Sequence, residues 1–225
     1  MQPIQNADGH VALSARSYPV AGSTKLSAGQ VVKLSGGAVV SAAEAETGAI
    51  LGICAENHGG RADALNLRAD GPVVRVYDAP TLIFECPAPV FTASGGSATT
   101  VTAASTAVAC STADAFNGGW LKLKEKAAGS GNTDALGTLI PVTDYAQAEG
   151  VSTFTRASGA TASAGDVYYV FPPVGATGVC SLDAATHGML VLTGAGCTKI
   201  KVVGHDHERN TLRLMAVEHA LGVEN

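Results

Sequence analysis

The sequence predicts an all-β protein: a small β-barrel or sandwich unit followed by a second β-sandwich-like unit, with few or no helices. Three observations predict it. Short runs of Val, Ile, Leu, Thr and Tyr recur at roughly 8–12-residue spacing and are bounded by Gly, Pro, Asn or Asp, the punctuation of short antiparallel strands. Apolar residues make up 46% of the 225 positions but aromatics only 5%, so the apolar content is chiefly Ala and Val, and β-branched side chains suit a pleated surface. Helical periodicity is scarce, and the one stretch that reads with either period is residues 212–221.

Taken in order, residues 1–20 read as an extended arm. Pro3, Asn6, Asp8 and Gly9 break its regularity, and Val11-Ala12-Leu13-Ser14-Ala15-Arg16-Ser17-Tyr18-Pro19-Val20 ends at a proline that a central strand would not accept. The arm carries Ile4, Val11, Leu13, Tyr18 and Val20, apolar side chains expected to bury against a neighbouring subunit; an ordinary edge strand is the competing reading. Residues 21–92 read as the barrel or sandwich unit. Val31-Val32-Lys33-Leu34-Ser35, a Gly36-Gly37 turn and Ala38-Val39-Val40 predict a hairpin. The run Ala49-Ile50-Leu51-Gly52-Ile53-Cys54-Ala55, the alternating Leu65-Asn66-Leu67-Arg68-Ala69 and Val73-Val74-Arg75-Val76-Tyr77 follow as strands. Composition then shifts to Ser, Thr, Ala and Gly between Thr92 and Thr112, which places a boundary near residue 92 with part of the segment ordered; a pair of edge strands at Thr99-Thr100-Val101-Thr102 and Ala107-Val108-Ala109-Cys110 is the competing reading. Residues 93–225 resume the β pattern as a second, outward-facing unit, with strands expected at 119–124, 137–145, 152–156, 166–171, 189–193, 199–203 and 211–214.

Composition also bears on function. With 14 basic and 19 acidic residues, a net charge of −5 and no basic run, the chain lacks the concentrated positive patch that phosphate recognition needs, so nucleic acid is not an expected partner. The longest apolar runs are strand-sized, far short of the ~20 residues that cross a bilayer as a helix, so a membrane is not expected either. The first residues carry neither a positive nor an apolar segment of a secretory signal, so synthesis in the cytoplasm is the expectation. Five cysteines, Cys54, Cys86, Cys110, Cys180 and Cys197, are widely spaced with no C-x-x-C pair. That pattern predicts free thiols acting as small hydrophobes.

Candidate chemistry is sparse. His205-Asp206-His207-Glu208 could aim two imidazoles to one face of a strand, as a metal site would require, but Gly204 and Asn210 bracket the run and it reads as a surface loop. The pairs Glu44 with Glu46 and Asp206 with Glu208 read as solvated charge. No G-x-S-x-G elbow occurs, and Gly118-Gly119 leads into strand-like Trp120-Leu121-Lys122 instead of a phosphate-binding helix. The expectation is a protein that is not an enzyme and needs no cofactor or metal. Trp120 reads as a core residue before an interface anchor. In Tyr168-Tyr169-Val170-Phe171, alternation puts Tyr168 and Val170 on one face and Tyr169 and Phe171 on the other, one of which is expected to meet a partner.

The ordered series Ala28-Gly29-Gln30-Val31-Val32, Gly37-Ala38-Val39-Val40, Gly48-Ala49-Ile50-Leu51-Gly52-Ile53-Cys54-Ala55 and the alternating residues 65–74 resembles the capsid cement (decoration, head-stabilisation) proteins of tailed bacteriophages, over about a third of the chain. The segment from Phe116-Asn117-Gly118-Gly119-Trp120-Leu121 to Gly165-Asp166-Val167-Tyr168 also looks like β-domains of phage head proteins. The chain is longer than a minimal cement protein. The resemblance implies a virion protein on the capsid exterior, made in the host bacterial cytoplasm, that bridges major capsid protein subunits and stabilises the shell. The implied partners are the major capsid protein and neighbouring copies of the chain, as a dimer or trimer. Two other readings stay open: another all-β virion component such as a head fibre base or tail protein, and a carbohydrate-binding β-sandwich.

Overall fold

A computed structural model describes residues 2–6, 14–22, 24–43, 46–59, 73–157, 159–183, 190–192 and 197–220. The described residues contain strands and turns but no helix, which makes the protein all-β. The first strand, β1 (Gln2–Asn6), belongs to a sheet described below. Next come β2 (Ala15–Pro19), β3 (Val31–Ser35), β4 (Ala38–Ser41), β5 (Gly52–Cys54) and β6 (Val73–Tyr77), paired in the order β2-β6-β5-β3-β4. The β3–β4 hairpin turns on Gly36 and Gly37 at φ +57° and +81°, the left-handed pair that a two-residue hairpin turn requires. The sheet curls until its ends meet. Val20 bridges Val39, and the Ala21 N–H reaches the Val39 carbonyl at 3.5 Å, so the five strands form a small barrel.

Alternation divides the barrel strands between two cores. Leu26, Val32, Val39, Leu51, Cys54, Val74 and Val76 fill the barrel. Val31, Ala42, Ile50 and Ile53 point the other way and join the larger core of the rest of the chain. Gly52 is what lets β5 approach β6 so closely: at φ +156°, an added Cβ would lie 2.0 Å from the Tyr77 carbonyl oxygen.

The remaining strands are β7 (Leu82–Pro87), β8 (Val90–Thr92), β9 (Gly95–Gly96), β10 (Thr100–Ala104), β11 (Trp120–Glu125), β12 (Leu139–Ala148), β13 (Val151–Arg156), β14 (Val167–Phe171), β15 (Ser181–Leu182), β16 (Leu190–Val191), β17 (Ile200–Asp206) and β18 (Thr211–Ala216). They form a four-stranded sheet β1-β7-β18-β17, a seven-stranded sheet β8-β14-β11-β12-β13-β10-β9 and the ribbon β15–β16, all antiparallel. Period-two burial puts Leu82, Phe84, Cys86, Leu212 and Leu214 of the smaller sheet into the same core as Phe91, Leu121, Leu123, Tyr145, Phe154 and Tyr168 of the larger one. Phe154 is the centre of that core, with ring centroids 5.2 Å from Phe91, 5.2 Å from Phe116 and 5.0 Å from Tyr145. The chain end ties this unit back to the barrel: Ile50 donates to Glu218 and accepts from Ala220 across a parallel bridge to His219.

Strand pairing divides the chain differently from its composition. The change of sheet falls between Tyr77 and Leu82, so β7 and β8 pair with the later strands although they lie within residues 21–92. The Ser/Thr/Ala-rich stretch after Thr92 supplies β9 and β10 at one margin of the large sheet, where Val101 and Ala103 are buried, and does not act as a linker. The N-terminal segment is not a separate arm among the described residues: β1 pairs with β7 and β2 with β6. Of the ambiguous stretch 212–221, the residues up to Ala216 belong to strand β18, and residue 221 lies outside the described residues. The expected strand at 65–69 lies outside the described residues.

Replacing Phe154 with Ala should lower unfolding stability by about 3–5 kcal/mol, because the site is enclosed by other rings and cannot collapse. Urea unfolding of the two proteins measures the difference; a loss below about 1 kcal/mol would contradict the packing described.

Candidate interaction surface

The five residues expected to contact a neighbour are not gathered at one place. Ile4 lies in β1, and Val11 and Leu13 lie outside the described residues. Tyr18 and Val20 pack against the interior cluster of their own barrel. The Tyr18 hydroxyl donates to the buried Asp78 carboxylate, which also receives the Arg16 guanidinium at 2.7 Å. Burial first, and then this contact, push the Tyr18 phenol up to about 12.

The large sheet presents the more continuous surface. Its inner face buries Phe91, Tyr168, Leu121 and Ile140, so the alternate residues point outward. Cross-strand register sets Val90 opposite Tyr169, Tyr169 opposite Lys122 and Lys122 opposite Leu139, a row that crosses β8, β14, β11 and β12. Val90 is 44% exposed and Leu139 38%, while Tyr169 and Lys122 are half-buried. The Lys124 ammonium lies 5.5 Å from the Tyr169 ring centroid. At the Val90 end the row adjoins a cleft of about 230 Å³ lined by Pro87, Pro89, Val90, Leu190 and Leu192. The alternation in Tyr168-Tyr169-Val170-Phe171 pointed to this face, but nothing in the sequence singled out Val90 or Leu139, whose neighbours are set by register alone.

One end of the face is covered. The β17–β18 hairpin folds its tip onto Trp120 and Phe171, so Phe171 is fully buried and Trp120 half-buried. Trp120 packs, half-buried, against the main core cluster through the sheet face it shares with Phe171. His205 is in strand β17 and His207 in the turn that follows, and both are half-buried, which differs from the surface loop expected of this run. Among the described residues no group of three or more His, Cys, Asp or Glu side chains is placed to hold a metal ion.

Buried polar groups hold the connections around the sheet. Asp166, fully buried, accepts from the Ala127 and Ser163 amides at 3.0 and 3.1 Å and from the Asn132 side chain at 2.9 Å. Burial alone would raise its carboxyl, but these donors outweigh it and hold the group below the usual carboxylate range. Asn132 also donates to the Tyr168 hydroxyl at 3.0 Å, and burial pushes that phenol up to about 12. Beside it, Arg156 pairs with Asp134 at 2.9 Å. Glu46 is likewise a clamp and not solvated charge: it is 3% exposed and binds Lys33 and the Ala43 and Gly48 amides, whereas Glu44 lies outside the described residues. All five cysteines are buried free thiols, and burial raises Cys86 to about 12.

The chain matches no family model, no curated protein and no solved structure.

The depressed Asp166 carboxyl stabilises the fold above its ordinary value near 3.9, and that contribution is lost as pH falls through the lower folded value. Asp166→Asn should cost about 1–3 kcal/mol at neutral pH and flatten the loss of stability as pH falls from about 5 through the folded value. Thermal melts across that range test it; an unchanged acid profile would show that the clamp does not titrate.

Proposed function

We propose that this chain is a structural virion protein that binds the exterior of an assembled phage capsid, bridges major capsid protein subunits and stabilises the shell. The observation that carries the reading is where the resembling segments fall. Residues 28–32, 37–40 and 48–55, which follow one another closely in sequence, supply strands β3, β4 and β5, three adjacent strands of one barrel, and Val73 and Val74 begin the fourth. The resembling series therefore covers adjoining strands of one structural unit.

The outer row of Val90, Tyr169, Lys122 and Leu139 supplies a contact suited to such a lattice. It is partly apolar and built on a sheet whose opposite side is packed core. A thin contact of this kind is weak when made once, and repetition over a symmetric shell multiplies it through effective concentration. Neither step calls for a cofactor or a catalytic group.

Quantitative mass spectrometry of purified particles from the phage that encodes the chain tests the reading. The expected result is a copy number in fixed proportion to the major capsid protein; a few copies per particle would instead favour a fibre or tail component, and absence from particles would overturn it. With particles stripped of the protein, the full chain should rebind. A Val90→Lys, Leu139→Lys double substitution, made at two exposed sites, should weaken rebinding about tenfold or more while leaving the melting temperature nearly unchanged.

A further inference from the structure

We propose that the tip of the β17–β18 hairpin is an acid-released latch, closed over Trp120 and Phe171 at neutral pH by two uncharged histidines and opened when they take up protons. His205 Nε2 lies 2.6 Å from the Pro172 carbonyl oxygen, so that nitrogen carries the hydrogen and donates it. The His205 and His207 rings are 5.4 Å apart, and both lie edge-on to Phe171, at 5.8 and 4.5 Å. His207 also meets Trp120 at 6.1 Å. The Lys122 ammonium pins the tip by donating to the His207 carbonyl and, at 2.7 Å, to Asn210 Oδ1.

This arrangement holds neutral imidazoles well and imidazolium ions poorly. His207 Nδ1 is buried with no hydrogen-bond partner, so as a bare lone pair it is tolerated, but a proton added there would be a buried donor without an acceptor. Two protonated rings at this separation would also repel each other and the Lys122 charge beneath them. From the other elements packed here, β14 and the Pro172 segment bring no charge, and β11 brings Lys122. Within the hairpin, Asp206 opposes the effect, but its carboxylate already accepts from the Glu208 and Arg209 amides at 3.1 and 2.9 Å. Glu208 and Arg209 are exposed at the turn, and Arg213 is opposite Glu85 on the neighbouring strand. Burial is the leading reason that both histidines lie below the ordinary imidazole value.

The direction follows by linkage. A histidine depressed in the closed state favours closure fully above its ordinary value of about 6.5 and loses that contribution as pH falls through the closed-state value. Opening would uncover Trp120 and Phe171 beside Lys122, lengthening the outer row of Val90, Tyr169 and Leu139 into a larger apolar face.

The chain has a single tryptophan, Trp120, so its exposure can be read directly. Protonated histidine quenches indole without any movement, so the measurement is acrylamide accessibility of Trp120, together with amide exchange over residues 204–211 corrected for intrinsic pH dependence. On passing from about pH 7.5 to about pH 5, accessibility should rise and corrected exchange should quicken about tenfold, with far-UV circular dichroism unchanged. Lys122→Met removes both the anchor and the repelling charge, and it should loosen the tip already at neutral pH while leaving a residual acid response. The double variant His205→Gln, His207→Gln should lose the acid response. Nuclear magnetic resonance titration showing both histidines protonated while wild-type accessibility and exchange stay constant would overturn the proposal, as would an acid response that persists in the double variant.

Discussion

The wall formed by β3 and β5 is the constraint on which the rest of the structure depends, because it is buried on both sides. Val32 and Cys54 face the barrel interior while their neighbours Val31 and Ile53 face the large core. Burial on both faces removes the freedom to slip in register, since a shift of one residue would exchange the two sets and mismatch both cores. It also bears on how the barrel, whose own cluster holds seven buried apolar residues among the described ones, keeps its shape. A unit so small gains much of its stability from the neighbour it leans on. The chain end reinforces this, since Ile50 in the barrel exchanges backbone hydrogen bonds with Glu218 and Ala220.

Much of the fold was legible because period-two alternation and glycine placement are local properties. The β3–β4 hairpin follows from Gly36-Gly37 and the flanking valines, and strands expected at 119–124, 152–156 and 166–171 lie within a residue or two of β11, β13 and β14. Sheet membership was not legible, because it is a long-range property. β7 carries the same alternating signal whether it pairs with the barrel or with β18, and only Leu82, Phe84 and Cys86 meeting Leu212 and Leu214 decides between them. Composition misled at residues 92–112 for a related reason. Thr and Ala are poor anchors, but at a sheet margin little volume remains to be filled, and Val101 and Ala103 fill it.

The candidate surface shows the same division. That Tyr169 and Tyr168 point to opposite faces can be read from two adjacent letters, but the row that Tyr169 joins is assembled from three other strands through pairing alone. The histidine run was misread because its polarity resembles a loop; the hairpin folds back on Phe171, and tertiary packing buries part of what local sequence would expose. Glu46 is the parallel case on the barrel side. Lone charge on a connection is usually solvated, yet here Lys33 and two amides receive it, so desolvation is offset by specific partners.

The edges of the sheets bear on how such a protein could crowd on a repeating surface without joining edge to edge. An open strand edge is a template for another chain, and high local concentration makes that hazard acute. The barrel removes its edges by closure between Val20 and Val39. The large sheet ends in two short strands: β9 is only Gly95–Gly96, and the three-residue β8 is preceded by Pro87 and Pro89, which lack a donor. Beside β17, Thr177 bridges Lys201 and covers part of that strand's outer side. These backbone edges are thus guarded while a partly apolar side-chain row on the face of the large sheet is left open. That combination disfavours uncontrolled strand addition and leaves side-chain complementarity, which is specific to a partner's shape, as the means of association.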